Sequence, residues 1–448
     1  MDIHPAAAIN FNEKATVLIS LIKEVKPTPQ NNQGFESDVP VSAKLSQEDI
    51  IGEIEITSTN YKGRTVARMF THAGRRYGLV DRDYISLIEL TEKIQSQPAC
   101  RSKLSKAFIE ATVFSWVKGK FTHKPIDDSF IEFLKKSANN SIKEFTLWTP
   151  IANLEIEISI PITRSELRSL SKDLLNTWEE KLILQSKNNK DKIEKLFLDL
   201  RKKFQGLASV VTKIQAEPLR AIEYAREEAE LVTSVIAIFS DGALMPDIKC
   251  VSKIKGAENI ASATTIMESE QGLFSVNHAI LDTPSARFWR LDKNFINMIR
   301  TAFLDKFSAL IRKGTFTKFE ETYLNALLLY SKSAFTSEPI EKLVYMLSSL
   351  ESILLKDENE PIQQNLAERL AILSAHELIE RKVVMKTVKS AYAIRSRYLH
   401  HGHVYSELEI ITKFMQYVHL FFINLIPDLD RFNDKHAFAS ALDDQKLS

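Results

Sequence analysis

At 448 residues the chain is long enough for two or three domains with a sizeable core. Its 44% hydrophobic and 26% charged residues are ordinary for a globular protein. A net charge of +1 excludes a global field that would gather nucleic acid or membrane, so any such attraction has to be local. With only 12 glycines the composition points to helices and away from a glycine-rich phosphate cradle. Cys100 and Cys250 are far apart and form no CxxC pair, which suits a reducing, cytoplasmic setting. No apolar run approaches the roughly 20 residues that span a bilayer, so no membrane contact is expected. The start, MDIHPAAAINFNEK, lacks a basic segment followed by an apolar block, so no signal peptide is expected.

In chain order, Ala15 to Ile22 is a short apolar segment, strand or helix. Residues 26–48, rich in Pro, Asn, Gln and Ser, read as a loop or linker. Ile50 to Thr57 alternates and predicts a strand, and Arg64 to Val80 another, with Gly74 and Gly78 as turns. Ser86 to Gln95 and Ser102 to Lys118 predict helices. Leu154 to Ile160 is a second alternating strand, ended by Pro161. Residues 1–160 are thus expected to form a mixed α/β domain. Thr163 and Glu166 have capping-box spacing, and residues 161–239 predict long helices broken at residues 186–189 and at Pro218. Ile248 to Ile254 and Leu273 to Ile280 predict strands. Ser275 and His278 lack the Gly-x-Ser-x-Gly context of a hydrolase nucleophile. Residues 161–290 are therefore expected to act as a sensor or connector.

From Lys293 onward the spacing is helical. Pro339 opens a helix whose apolar face carries Ile340, Leu343, Val344, Leu347, Leu350 and Leu354, with Glu351 in the same stripe. A carboxylate there needs a proton or a cation. In a later helix Val384, Val388, Ala391, Tyr392, Arg395, Tyr398 and Leu399 share one face, which sets Arg395 in the apolar stripe. A guanidinium keeps its proton, so it needs an anion there, from the protein or from a ligand. Glu351 is the natural internal partner. His400 and His401 fall in the last turn before Gly402, where the helix dipole favours imidazolium. An arginine and a chargeable histidine near a helix end suit a phosphodiester. No acidic residue lies between Glu380 and Glu407, while Arg381, Lys382, Lys386, Lys389, Arg395 and Arg397 do; this local patch can grip an RNA backbone, with Lys386 and Lys389 as candidate contacts. Adjacent histidines rarely ligate one ion and no Cys or Asp stands at ligand spacing, so neither a metal nor a cofactor is expected. The end of the chain, from Arg431, reads as a loose tail.

Three segments together resemble the HEPN superfamily, in its Apea-like branch. Glu341 to Leu355 looks like the family's helix with a Leu-Glu pair, Asn365 to Ala371 is similar to its next helix, and Tyr392 to Gly402 looks like its YxxRSxxxHxG signature, within the R-x4–6-H spacing. The resemblance covers roughly residues 291–430 and implies a C-terminal antiparallel helical bundle in a mainly α protein. It implies a metal-independent endoribonuclease, a homodimer with the two signature helices facing a shared cleft, and a setting in anti-phage defence or a toxin-like stress response. Carried over, His400 would be general acid or base for attack of a ribose 2′-OH, Arg395 would hold the phosphate, and Ser396 would orient one or the other. Glu351 would fix Arg395, with Tyr392, Arg397 and His401 in support. Residues five apart on a helix point about 140° from each other. Arg395 and His400 therefore need a helix end or a second chain to meet on one phosphate. The RNA class, whether tRNA, rRNA or mRNA, is open, and a regulatory partner or ligand is expected at the N-terminal region. A HEPN bundle that binds a nucleotide or a protein without cleaving is the alternative.

Overall fold

A computed structural model describes residues 3–25, 55–59, 65–257, 262–268, 274–280, 288–401 and 408–446; of the side chains at 399–401 nothing is described. The chain is mainly helical with an α/β N-terminal part and divides into two units, residues 1–145 with 214–224, and residues 146–213 with 225–448.

The first unit contains α1 (Pro5–Ser20), β1 (Lys23–Glu24), β2 (Glu55–Thr59), β3 (Thr65–His72), β4 (Arg75–Val80), α2 (Asp81–Gln95), α3 (Pro98–Arg101), α4 (Lys106–Phe121) and α5 (Phe130–Ser141). Its strands form an antiparallel sheet in the order β1-β4-β3-β2. One face supplies Phe70 and Leu79 to a core shared with Leu87, Ile94, Val113, Phe114, Phe130 and Leu134 from the helices. Gly74 takes φ +73° in the β3–β4 turn, the left-handed geometry expected of it. Gly78 is not a turn; it sits inside β4 opposite Met69. The expected linker at 26–48, and Ile50 to Ile54 of the first predicted strand, lie outside the described residues.

The second unit takes up β5 (Lys143–Pro150) from residue 146, then β6 (Leu154–Ile156), β7 (Ile160–Ile162), β8 (Ser165–Ser169), α6 (Lys172–Gln185), α7 (Lys190–Phe204) and β9 (Ala208–Ala216) up to residue 213. Here the sequence expectation needs correcting. Pro161 lies within β7, and Thr163 caps no helix: it holds φ +55° in the tight turn that pairs β7 with β8. The buried carboxylate of Glu228 accepts the hydroxyl protons of Thr163, at 2.8 Å, and Ser165, at 3.3 Å, which ties the turn to the helix Pro218–Ala237. β9, absent from the helical expectation, completes a sheet in the order β5-β9-β8-β7. There follow α8 (Pro218–Ala237), α9 (Asp241–Leu244), the hairpin β10 (Ser262–Glu268) and β11 (Phe274–Ile280), and β12 (Trp289–Leu291), which runs parallel to β6. Of the strand expected at Ile248 to Ile254, only a bridge from Ile254 to Ile151 forms.

The helices α10 (Lys293–Ile299), α11 (Asp305–Lys313), α12 (Lys318–Ser333), α13 (Pro339–Leu354), α14 (Ile362–Ser374), α15 (Leu378–His401), α16 (Leu408–Leu425) and α17 (Lys435–Asp444) follow. α12 packs on α13, α14 on α15, and α15 on α16. Their core (Phe307, Phe319, Tyr323, Leu347, Leu350, Phe414 and Phe422 among others) is continuous with Ile160, Leu167, Val210 and Val232. Residues expected to form a connector thus share one core with the helices. The expected loose tail is also corrected: α17 buries Phe438 and Leu442 against that core. Leu408–Arg431 is long and apolar enough to cross a membrane, contrary to expectation, with a mean hydropathy of 1.2, but it buries Ile411, Phe414, Met415, Val418 and Phe422 in protein.

One buried cation joins these elements. The Lys342 ammonium is wholly buried and donates to the carbonyls of Gly242 and, at 3.0 Å, Ser333, capping the end of α12. Burial lowers its pKa to about 7 from the usual 10.5, with Cys250 and Asp247 opposing the shift. The folded chain therefore binds fewer protons than the unfolded chain between these values. Stability should rise with pH there, by up to about 1.4 kcal/mol per unit, and Lys342→Met should flatten that rise in urea titrations at pH 7 and 9.5. An equal rise in wild type and variant would contradict it. Gly242 is needed for the same junction. A Cβ there would lie closer than 3.0 Å to the backbone of Ala334 and Cys250. Gly242→Ala is expected to cost about 1–3 kcal/mol in urea unfolding, and an unmoved midpoint would refute the close approach.

Candidate functional site

The candidate site is built by α13 and α15, which pack side by side. Glu351 occupies the last turn of α13. Tyr392 and Arg395, three residues apart on α15, face it. The Tyr392 hydroxyl donates to Glu351 Oε1 at 2.7 Å, and Arg395 Nη1 lies 3.7 Å from the same oxygen. The Arg395 and Glu351 side chains are 29% and 26% exposed, so the pair sits at the margin of the core. Burial, then the Glu351 carboxylate, push the Tyr392 phenol well above its usual range, so it stays protonated and works only as a donor to that carboxylate. The pairing of Glu351 with Arg395 expected from two charges in two apolar stripes is therefore present in the structure.

The guanidinium is held but not filled. At 3.7 Å its contact with Glu351 is beyond a hydrogen bond, and among the described residues buried Nε has no hydrogen-bond partner. Arg369 on α14 provides the contrast. It is 1% exposed, and all its donors are taken: Glu360 accepts from both Nη atoms at 2.7 and 2.9 Å, Asp443 accepts from Nε and Nη2 at 3.0 and 2.8 Å, and Leu354 O accepts from Nη1 at 2.7 Å. Arg369 is a structural bolt. Arg395 keeps donors in reserve beside a solvent-reaching edge, which is what an arginine that receives an external anion requires.

The remaining candidates are placed as follows. Ser396 and Arg397 are exposed, and Arg397 Nε lies 3.4 Å from Ala393 O. Lys386 and Lys389 line one shallow groove of about 450 Å³ with Lys382, Met385, Ser390 and Ala393. The structure does not bring this groove to Arg395. Lys386 and Arg395 are nine residues apart, which at about 100° per residue puts them on opposite faces of α15. Val384, Val388 and Ala391 are buried on the Arg395 side. The backbone of His400 and His401 continues α15. Whether His400 and Arg395 converge lies outside the described side chains, as do Gly402 and His403.

Sequence reasoning gave no role to Arg369 or to Lys342. For Arg369 a signal existed, since it falls among Leu366, Leu370 and Leu373 in an apolar helix. For Lys342 none did, because its partners are backbone carbonyls. Among the described residues no group of three or more His, Cys, Asp or Glu side chains could hold a metal ion. No family profile, curated protein or solved structure matches the chain.

Proposed function

We propose that the chain is a metal-independent endoribonuclease of HEPN type, acting as a homodimer through its C-terminal helices. The observation that carries this is Arg395: a half-buried guanidinium beside the Glu351 carboxylate, which Tyr392 holds in place, with donor capacity left over at the protein edge. In the proposed reaction, His400 takes the proton from a ribose 2′-OH. The 2′ oxygen forms a bond to the adjacent phosphorus, the bond from phosphorus to the 5′ oxygen breaks, and that oxygen takes a proton from water while the His400 imidazolium returns its own to solvent. The products are a 2′,3′-cyclic phosphate and a 5′-hydroxyl. Arg395 stabilises the charge that grows on the phosphate oxygens, and Ser396 orients the phosphate or His400. Lys386, Lys389 and Arg397 hold RNA on the outer face of α15, and His401 supports His400. A second chain supplies the convergence that the 140° separation denies to one helix. The first unit then serves to meet a trigger or partner, in a defence or stress setting within the cytoplasm.

One observation favours a different reading. With the lysine groove and Arg395 on opposite faces, the helices could bind a nucleotide or a partner protein and cleave nothing. The two are separated by incubating wild type and His400→Ala with tRNA, rRNA and mRNA in excess chelator. Cleavage by wild type alone, with folding and oligomeric state retained in both, supports the nuclease. Cleavage by neither supports the binding module.

A further inference from the structure

At about 100° per residue, Leu378, Ile379, Lys382, Val383, Lys386 and Lys389 fall within one arc of roughly 140° on the outer face of α15. That arc holds no carboxylate, since Glu380 and Glu377 lie about 100° and 160° round the helix from Ile379. Ile379 is 78% exposed, the most exposed large apolar side chain among the described residues. Leu378 and Val383 are 66% and 49% exposed. The three make an aliphatic tip over the first two turns, while Val384 and Val388 on the opposite side fill the core. Among the described residues, the side chains of Lys382 and Lys386 form no ion pair and no hydrogen bond. Beside the tip is an open hollow of about 310 Å³, bordered by Ala371, Ile372, Leu378 and Met385 and by the cations of Arg381 and Lys382. Glu368 also borders it, and Lys446 engages that carboxylate at 2.8 Å. The hollow runs into the lysine groove, because Lys382 and Met385 belong to both. Both are shallow and open to solvent, and neither encloses a ligand.

We propose that this face docks on an anionic lipid surface, with Leu378, Ile379 and Val383 in the acyl boundary and Lys382, Lys386 and Lys389 on the headgroup phosphates. Lysines beside exposed aliphatics, with no carboxylate among them, call for a partner that is anionic and apolar at once. A polynucleotide meets the charge and leaves the aliphatics in water. An acidic protein would seat its own side chains in a recess, and neither hollow here encloses one. A lipid surface needs no matching shape and takes up aliphatics that stand proud. Lys382, Lys386 and Lys389 follow Ile379 by about 5, 11 and 15 Å along the axis at 1.5 Å per residue. A tilted helix entering tip first thus sets its ammonium groups at headgroup depth, with their stems lying along the boundary. Docking needs no spanning segment, so it goes beyond the expectation, drawn from span length alone, that the chain meets no membrane. Lys386 and Lys389 are also the proposed RNA contacts, whereas Arg395 and His400 take no part, so docking neither needs nor implies cleavage.

The test is sedimentation of the full chain with vesicles of phosphatidylcholine alone and of phosphatidylcholine with about one third phosphatidylserine, without divalent metal. Binding to the second should be at least about tenfold tighter and should weaken as salt rises. Lys382→Gln with Lys386→Gln, and separately Leu378→Ser with Ile379→Ser, should each weaken it by at least about tenfold. Both native cysteines are buried, so Ile379→Cys takes a polarity-sensitive dye selectively. Its emission should shift to the blue on anionic vesicles, and the same dye at Ile222→Cys, an exposed position on α8, should not shift. A shift at one position and not the other is a pattern that misfolding does not produce. No sedimentation with anionic vesicles at low salt would overturn the proposal and leave an acidic protein as the partner of this face. Equal binding by the chain carrying Leu378→Ser and Ile379→Ser would overturn it in favour of a polynucleotide. Displacement by millimolar inorganic phosphate at constant ionic strength would overturn it in favour of a phosphate site. A silent dye at Ile379→Cys on sedimenting chain, or an equal shift at Ile222→Cys, would place the contact elsewhere and overturn it too. RNA cleavage can fail in the nuclease assay while vesicle binding persists, and the reverse, so the two proposals fall separately.

Discussion

Replacing Arg369 with methionine is expected to cost about 3–5 kcal/mol of folding stability, the largest effect of any single substitution considered for this chain. Removing the guanidinium leaves Glu360 and Asp443 as carboxylates near the core without their cation and frees the carbonyl of Leu354. The same network fixes an acid response. Hydrogen bonds from Arg369 hold both carboxyls below the usual carboxylate range, strongly so for Asp443, where Lys356 and Lys446 add to the effect. Their folded pKa values are depressed, so the stabilisation is complete above the unfolded carboxylate values and is lost as pH falls through the folded ones. Urea titrations at pH 7 and pH 3 should show wild type giving up part of this stabilisation on acidification and Arg369→Met giving up less, from a lower start. An unchanged midpoint at pH 7 would refute the structural role of Arg369 and, with it, the anchoring of α17.

The second large effect falls on activity. Arg395→Ala is expected to lower RNA cleavage by about 10²–10³-fold, the loss typical of one donor to a developing oxyanion. Stability should fall by at most about 1 kcal/mol, because a part-exposed ion pair at 3.7 Å contributes little. Arg395→Lys should rescue poorly, since an ammonium lacks the planar fork that grips phosphate. The two arginines therefore give opposite expectations from one physical criterion, the number of donors already filled. A single-turnover assay beside a urea curve for each variant reads both. Stability lost at Arg395 with cleavage unchanged would remove it from the site.

Much of the site could be read from spacing. Arg395 among Val384, Val388 and Ala391, and Glu351 among Leu347, Leu350 and Leu354, are charges placed in apolar stripes. Such charges must find each other or a ligand, and here they lie within reach. The opposition of Lys386 to Arg395 was equally present in the nine-residue interval, but counting the local charge hides it because a count ignores direction. Other features resisted for identifiable reasons. β9 carries Val210, Val211 and Thr212, a β-branched run that signalled a strand, but it lies between a lysine-rich helix and a glutamate-rich one, and the composition of the window overrode it. Thr163 and Glu166 matched a cap by type and interval, whereas the left-handed turn at Thr163 depends on Glu228, 65 residues away. α17 is held by Phe438, Leu442 and Asp443, and the partners of Asp443 lie on α14 and in the segment before it. Lys342 depends on two carbonyls, which carry no side-chain identity at all.

The central claim is that Arg395 and His400 act on the phosphate next to a ribose 2′-OH. It is tested most directly by offering the chain an RNA that it cleaves and the same RNA with a 2′-deoxy sugar at the cleavage position, both in excess chelator. The expected result is cleavage of the first to a 2′,3′-cyclic phosphate and a 5′-hydroxyl, with the second intact. Equal cleavage of both, or cleavage only when divalent metal is restored, would contradict it.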